Sequence, residues 1–144
     1  MGFYYHSGSF LNRESKQLER GLTAFYTTTD VQILPKFHAF FQLDISEDNV
    51  SKLKHYVGGG LRYEIARKDK TDELGFAIAH VAVNQDALNE SKGILRENAF
   101  ELNYKRKISE QIQIQPYIHL IAMEELANKN TNTFILAIRA YVQF

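Results

Sequence analysis

The chain has 144 residues, one domain's worth, with 17 basic and 17 acidic side chains and a formal net charge of zero, so no basic field announces nucleic acid as a partner. It contains no cysteine, which removes disulfide frameworks, thiolate catalysis and cysteine-ligated zinc. No run approaches the roughly 20 apolar residues of a membrane helix, but a β-barrel stays open, because its alternating faces average out in any hydropathy window.

The opening MGFYYHSGSF has no basic stretch followed by an apolar run, so it is not a signal peptide and reads as a strand already under way, Gly2 to Phe10. An export signal, if the chain is an outer-membrane protein, is expected upstream. The charged connection LNRESKQLER leads to a strand from Leu22 to Asp30, and a compact link punctuated by Pro35 leads to FHAFFQLDI. There Phe37, Ala39, Phe41, Leu43 and Ile45 share one parity, and His38, Gln42 and Asp44 the other. After the polar SEDNVSKLKH, the segment VGGGLRYEIA sets Val57, Leu61, Tyr63 and Ile65 against Arg62 and Glu64. Gly58, Gly59 and Gly60 are no phosphate loop, since neither a helix pattern nor a lysine follows them; close backbone approach or a bend is the better reading.

RKDKTDE makes a tight charged turn into LGFAIAHVAV, where Leu74, Phe76 and Ile78 alternate with Gly75, Ala77 and Ala79. His80 falls on the apolar parity, so the strand either leaves the apolar zone there or carries a bulge. The long polar NQDALNESKGILREN precedes AFELNYKRKI, with Phe100, Leu102 and Tyr104 opposite Glu101, Asn103 and Lys105. The short turn SEQ returns the chain through IQIQPYIHLIA, in which Pro116 predicts a local distortion or bulge because it has no N–H for the ladder. EELANKNTN then leads to TNTFILAIRAYVQF. In that last strand Phe134, Leu136, Ile138, Val142 and the terminal Phe144 form one apolar stripe, while Arg139, Tyr141 and Gln143 lie opposite.

Eight strands result, and their connections alternate long and short. Outer-membrane barrels segregate loop lengths in this way, with long outside loops and short periplasmic turns. The predicted fold is therefore all-β: an antiparallel transmembrane β-barrel in which the apolar stripes, with Phe134, Leu136, Ile138, Val142 and Phe144 as the last of them, face lipid and the polar stripes face a lumen. Two alternatives remain open from the residues: a small closed eight-stranded outer-membrane barrel that anchors or binds without conducting, and a soluble ligand-binding barrel with its faces inverted.

Over most of its length the chain resembles the C-terminal half of the carbohydrate-selective porin family, the OprB-like porins. The likeness is carried by GFYYHSGSF, LTAFYTTTD with FHAFFQLDI, GGGLRYEIARKDKTDELGFAIAHV, and the succession of AFELNY, IQIQPYIH and the final strand. The resemblance implies that residues 1–144 form one domain, the C-terminal portion of a barrel of about 16 strands, the size range that leaves an aqueous channel. It implies an outer-membrane location, passive diffusion of carbohydrates or other small polar solutes, no enzymatic activity and no cofactor. It further implies handling of the C-terminal strand by the barrel-assembly machinery, and a homotrimer if the chain assembles as related porins do.

A wall for sugars needs aromatic faces for their CH surfaces and hydrogen-bonding groups for their hydroxyls. On the polar parity the candidates are Asp44, Arg62, Glu64, Glu101, Lys105, Tyr117, His119, Arg139 and Tyr141. Their mixed signs suit neutral solutes better than a strongly ion-selective path. Charges inside a barrel also pair across strands simply to fill and rigidify it, as Arg62 would with Glu101. His38, His80 and His119 have no ligand spacing, so no metal site is predicted.

Overall fold

The computed structural model describes every residue except 13, 48–49, 69, 85–92, 127–128 and 144. Eight strands follow one another: β1 Gly2–Leu11, β2 Leu18–Leu34, β3 Phe37–Ser46, β4 Leu53–Arg67, β5 Lys70–Val83, β6 Ile94–Lys107, β7 Ile112–Glu125 and β8 Lys129–Val142. They lie side by side in one antiparallel sheet in the order β1 to β8, a continuous meander. The predicted number and order of strands hold.

Several strands are longer than their apolar alternation. β2 begins at Leu18, β5 at Lys70 and β8 at Lys129, each inside a segment read as a polar connection. The reason is that a strand outside the bilayer needs only a paired neighbour to satisfy its backbone, not an apolar stripe. As a result the connection between β7 and β8 is much shorter than predicted, although the turns at the other end of the sheet remain tight. One of these joins β2 to β3 through Pro35 and Lys36. Proline presets the first turn position and Lys36 takes φ 74 at the second, the φ pattern of a type II turn. Most of the predicted long connection before β6 falls on residues 85–92, outside the described residues.

Neither predicted bulge occurs. His80 stands in unbroken register with Val57 on one side and Asn98 on the other, so the strand leaves the apolar zone there. Pro116 pairs with Ile138 without a register shift. Toward β6 the pairing passes over the positions opposite Pro116 and Gln115 and resumes unchanged, from Asn103↔Tyr117 to Arg106↔Ile114. The missing N–H costs the ladder a bond but not its register.

The sheet has almost no apolar interior. Among the described residues only Ala24, Val50 and Ala82 are buried hydrophobics, whereas Leu136 and Ile138 are 71% and 72% exposed. β1 and β8 end the sheet and do not pair with each other among the described residues. The eight strands therefore are not a closed barrel by themselves, which removes the small closed barrel. The soluble inverted barrel is likewise not formed, since the apolar side chains have no enclosed interior to fill.

Registered partners in an antiparallel pair share a face, so the outward surface can be read across the sheet. One row runs Phe41, Gly59, Ile78, Phe100, Leu120, Phe134, and the next Ala39, Leu61, Phe76, Leu102, Ile118, Leu136. Phe134, Leu136, Ile138 and Val142 all lie on this face, as predicted, while Phe144 is outside the described residues. Along β4 the apolar face extends from Val57 to Ile65, which at about 3.3 Å per residue and a tilt of about 40° makes a band ~20 Å tall. Toward the short turns the band ends in Phe37, Tyr63 and Tyr104. The first two rings stack at 4.6 Å, and the Tyr104 hydroxyl donates to buried Asp72, which Arg67 also approaches at 3.4 Å.

The polar face as a candidate solute pathway

All nine sequence-derived candidates fall on the face opposite that band. Asp44 is registered between Tyr26 and Tyr56, and Arg62 between His38 and Gly75. Glu64 and Lys105 both stand opposite Glu73, Glu101 between Ala77 and His119, and Tyr117 between Asn103 and Ala137. Arg139 is opposite Gln115 and Tyr141 opposite Gln113.

The charges pair locally. His38 Nε2 lies 3.0 Å from Glu64 Oε1 and Lys105 Nζ 3.9 Å from Glu73. Glu101 pairs not with Arg62 but with Arg139, two strands away, at 3.3 Å, while Asn103 Nδ2 donates to its other oxygen at 2.9 Å. Arg139 reaches that far by lying over the Tyr117 ring, 4.0 Å from its centroid. Tyr141 donates to Gln115 Oε1 at 2.8 Å, and Lys105 sits 5.9 Å from the Tyr141 ring centroid. The result is a lattice of aromatic faces, amides and neutralised charges on β6, β7 and β8. Arg62 differs: its Nε is buried with no hydrogen-bond partner among the described residues.

Beside this lattice the wall is thin. Gly58, Ala79 and Ala99 form one registered row and Gly60, Ala77 and Glu101 the next. A concavity of about 270 Å³ opens here, bordered by Asp30, His38, Phe40, Arg62, Glu101 and Lys105 among others. Phe40 is an apolar residue on the polar parity because its ring covers Gly60: a Cβ there would lie 2.6 Å from the ring and 2.3 Å from the Phe76 carbonyl oxygen. Tyr56 covers Gly58 in the same way, with its hydroxyl donating to Gln42. The predicted close backbone approach at the triple glycine is thus observed at Gly60.

Sequence reasoning put His38, Asn103 and Gln115 on the polar parity without naming them as candidates, and it missed Glu73 as part of this surface. Their parity was legible, but Glu73 had been read into a turn. The other three gain their roles only from the register that brings Glu64, Glu101 and Tyr141 beside them. Among the described residues no group of three or more His, Asp or Glu is placed to hold a metal ion.

The sheet thus has one apolar face, one polar face and two unpaired edges, β1 and β8, among the described residues. The sequence matches the family model of the carbohydrate-selective porins, OprB family, over residues 2–144. The chain belongs to the OprB family of carbohydrate-selective porins. Its fold is similar to that of OprB from Pseudomonas putida, in a structure determined at high pH, with a TM-score of 0.85 at 15% sequence identity. That similarity covers 99% of this chain and 43% of the other, so the chain spans less than half the length of that porin. No curated protein sequence matches it. As an OprB-family porin the chain belongs in the bacterial outer membrane.

Proposed function

We propose that the chain forms about half of the wall of an outer-membrane channel of about 16 strands, through which carbohydrates and other small polar solutes diffuse passively. The observation that carries this reading is the division of one open sheet into an apolar face and a polar face whose charges neutralise one another. A closed ladder of this length needs further strands at both β1 and β8, and the family match supports their being the rest of a porin barrel, with this chain as its C-terminal portion.

In this reading Tyr117 and Tyr141 offer ring faces to sugar CH surfaces. Glu101, Lys105, His119, Arg139, Glu64, Asp44 and Arg62 offer hydrogen-bonding groups to sugar hydroxyls. Binding stays weak because Glu64, Glu101, Lys105, Arg139 and Tyr141 already have partners and exchange one bond for another. The protein acts as a channel without catalysis. Assembly through recognition of the C-terminal strand, and a homotrimer, are parts of the same proposal.

The test is swelling of liposomes containing the purified porin in neutral sugars of increasing size, beside ion conductance in planar bilayers. Sugar-driven swelling with weak ion selectivity is expected. Strong selectivity for one sign of ion with no sugar flux would overturn the reading.

A further inference from the structure

The lipid-facing surface is not evenly filled. Gly59 is its residue on β4 between Val57 and Leu61, and with no side chain there a groove of about 440 Å³ opens, walled mainly by Phe41, Val57, Leu61, Phe76, Ile78 and Phe100. The groove follows the strands upward and its chemistry changes at the end nearer the longer connections. There His80 and Asn98 line it, with His80 Nδ1 2.8 Å from Asn98 Oδ1 and the His55 ring 5.5 Å from the His80 ring. One row further out, Arg96 faces Glu124 at 3.7 Å. An amide oxygen only accepts, so neutral His80 carries its proton on Nδ1 and keeps Nε2 as an acceptor.

We propose that this groove holds one acyl chain of an outer-leaflet glycolipid, with hydroxyl or amide N–H groups at the base of its headgroup meeting His80 and Asn98. Three observations converge on that occupant. The groove lies within the band that meets lipid, so what fills it is apolar. Its polar mouth coincides with the upper end of that band, where His80 and Asn98 stand side by side in the row that continues through Ala122 to Asn132. The mouth also presents an acceptor at His80, which suits a lipid carrying donors rather than one whose chain linkages are esters alone. Inside a bilayer, removing apolar surface from water supplies no drive, so retention comes from shape and the polar anchor. A second copy of the chain would have to bring both an apolar knob and a donor to the same spot.

The experiment is native mass spectrometry of the porin extracted from outer membranes in mild detergent, with fragmentation to identify bound lipid. It compares the natural sequence with Gly59→Leu, Ile78→Trp and His80→Leu. A Cβ at Gly59 would meet the Phe40 carbonyl oxygen at 3.1 Å, so Gly59→Leu needs a small backbone adjustment. Ile78 is 47% exposed, and its replacement fills the groove from outside with no such demand. The natural protein is expected to retain a glycolipid that both groove-filling variants lose and that His80→Leu holds less well. Sugar flux should be unchanged in all of them, because the lumen lies on the other face, so failure here leaves the channel reading standing. Equal lipid retention in every variant would reveal only the general lipid shell and overturn the proposal. So would a bound diacyl phospholipid, or an oligomer of the chain that disappears when the groove is filled.

Discussion

Ile118 and His119 are chain neighbours on opposite faces of β7, and exchanging each for arginine tests the assignment of faces within one strand. Ile118 is registered between Leu102 and Leu136 and is 40% exposed on the apolar side. It lies four residues from Ala122, whose row contains the polar His80 and Asn98, which places it ~13 Å along the strand and ~10 Å in depth from the upper edge of the band. That is close to the midplane, where an arginine costs about 2–4 kcal/mol, equivalent to roughly 30- to 700-fold in the folding equilibrium. His119→Arg, facing hydrated lumen beside Glu101, should cost less than about 1 kcal/mol, since an added charge there gains a partner in water. Denaturant unfolding of both variants in phospholipid vesicles, followed by the loss of heat-modifiable mobility in gels, reads the difference. Equal costs, or a larger cost for His119→Arg, would refute the facial assignment.

The other predictions concern the wall. Arg139→Ala leaves Glu101 without its ion pair and should shift the zero-current potential toward cation preference in a salt gradient, whereas Glu101→Gln should shift it toward anions; bilayer recordings decide. Gly60→Ala places a Cβ 2.3 Å from the Phe76 carbonyl oxygen, and should destabilise by about 1–3 kcal/mol as overpacking does. Gly59→Ala, at 3.1 Å from the Phe40 carbonyl oxygen, should cost clearly less in the same unfolding assay. Lys36→Gly relieves a left-handed residue worth ~1–2 kcal/mol against glycine's ~0.5–1 kcal/mol of extra chain entropy, so a small gain in stability is expected; a loss would contradict the turn assignment.

What could be read from the sequence was what period-2 alternation reports directly: which residues of a strand share a face. The grouping of the nine polar candidates and of the apolar stripe of β8 followed from that parity, and the register across the sheet puts each set on one common face. Strand ends were not legible, because Leu18 to Gly21 and Lys129 to Asn132 lie beyond the apolar band, where pairing alone holds a strand. The partner of Glu101 was not legible either. Arg62 and Arg139 both carry the right charge, and the choice between them depends on a register spanning three strands and on the Tyr117 ring that supports Arg139. Phe40 and Gly60 explain each other only once they are known to be opposite. Pro116 predicted a local distortion or a bulge, and the structure shows the first: a gap in the ladder to β6 with the register kept on both sides.

The central claim is that the polar face lines a water-filled path, and the lack of cysteine in the chain makes it directly testable. Single substitutions Leu102→Cys and Asn103→Cys, neighbours on opposite faces of β6, would be treated in bilayers with a membrane-impermeant thiol reagent while sugar flux is followed. The account predicts rapid modification and reduced flux at position 103, with neither at 102. Modification at 102 and protection at 103 would contradict it.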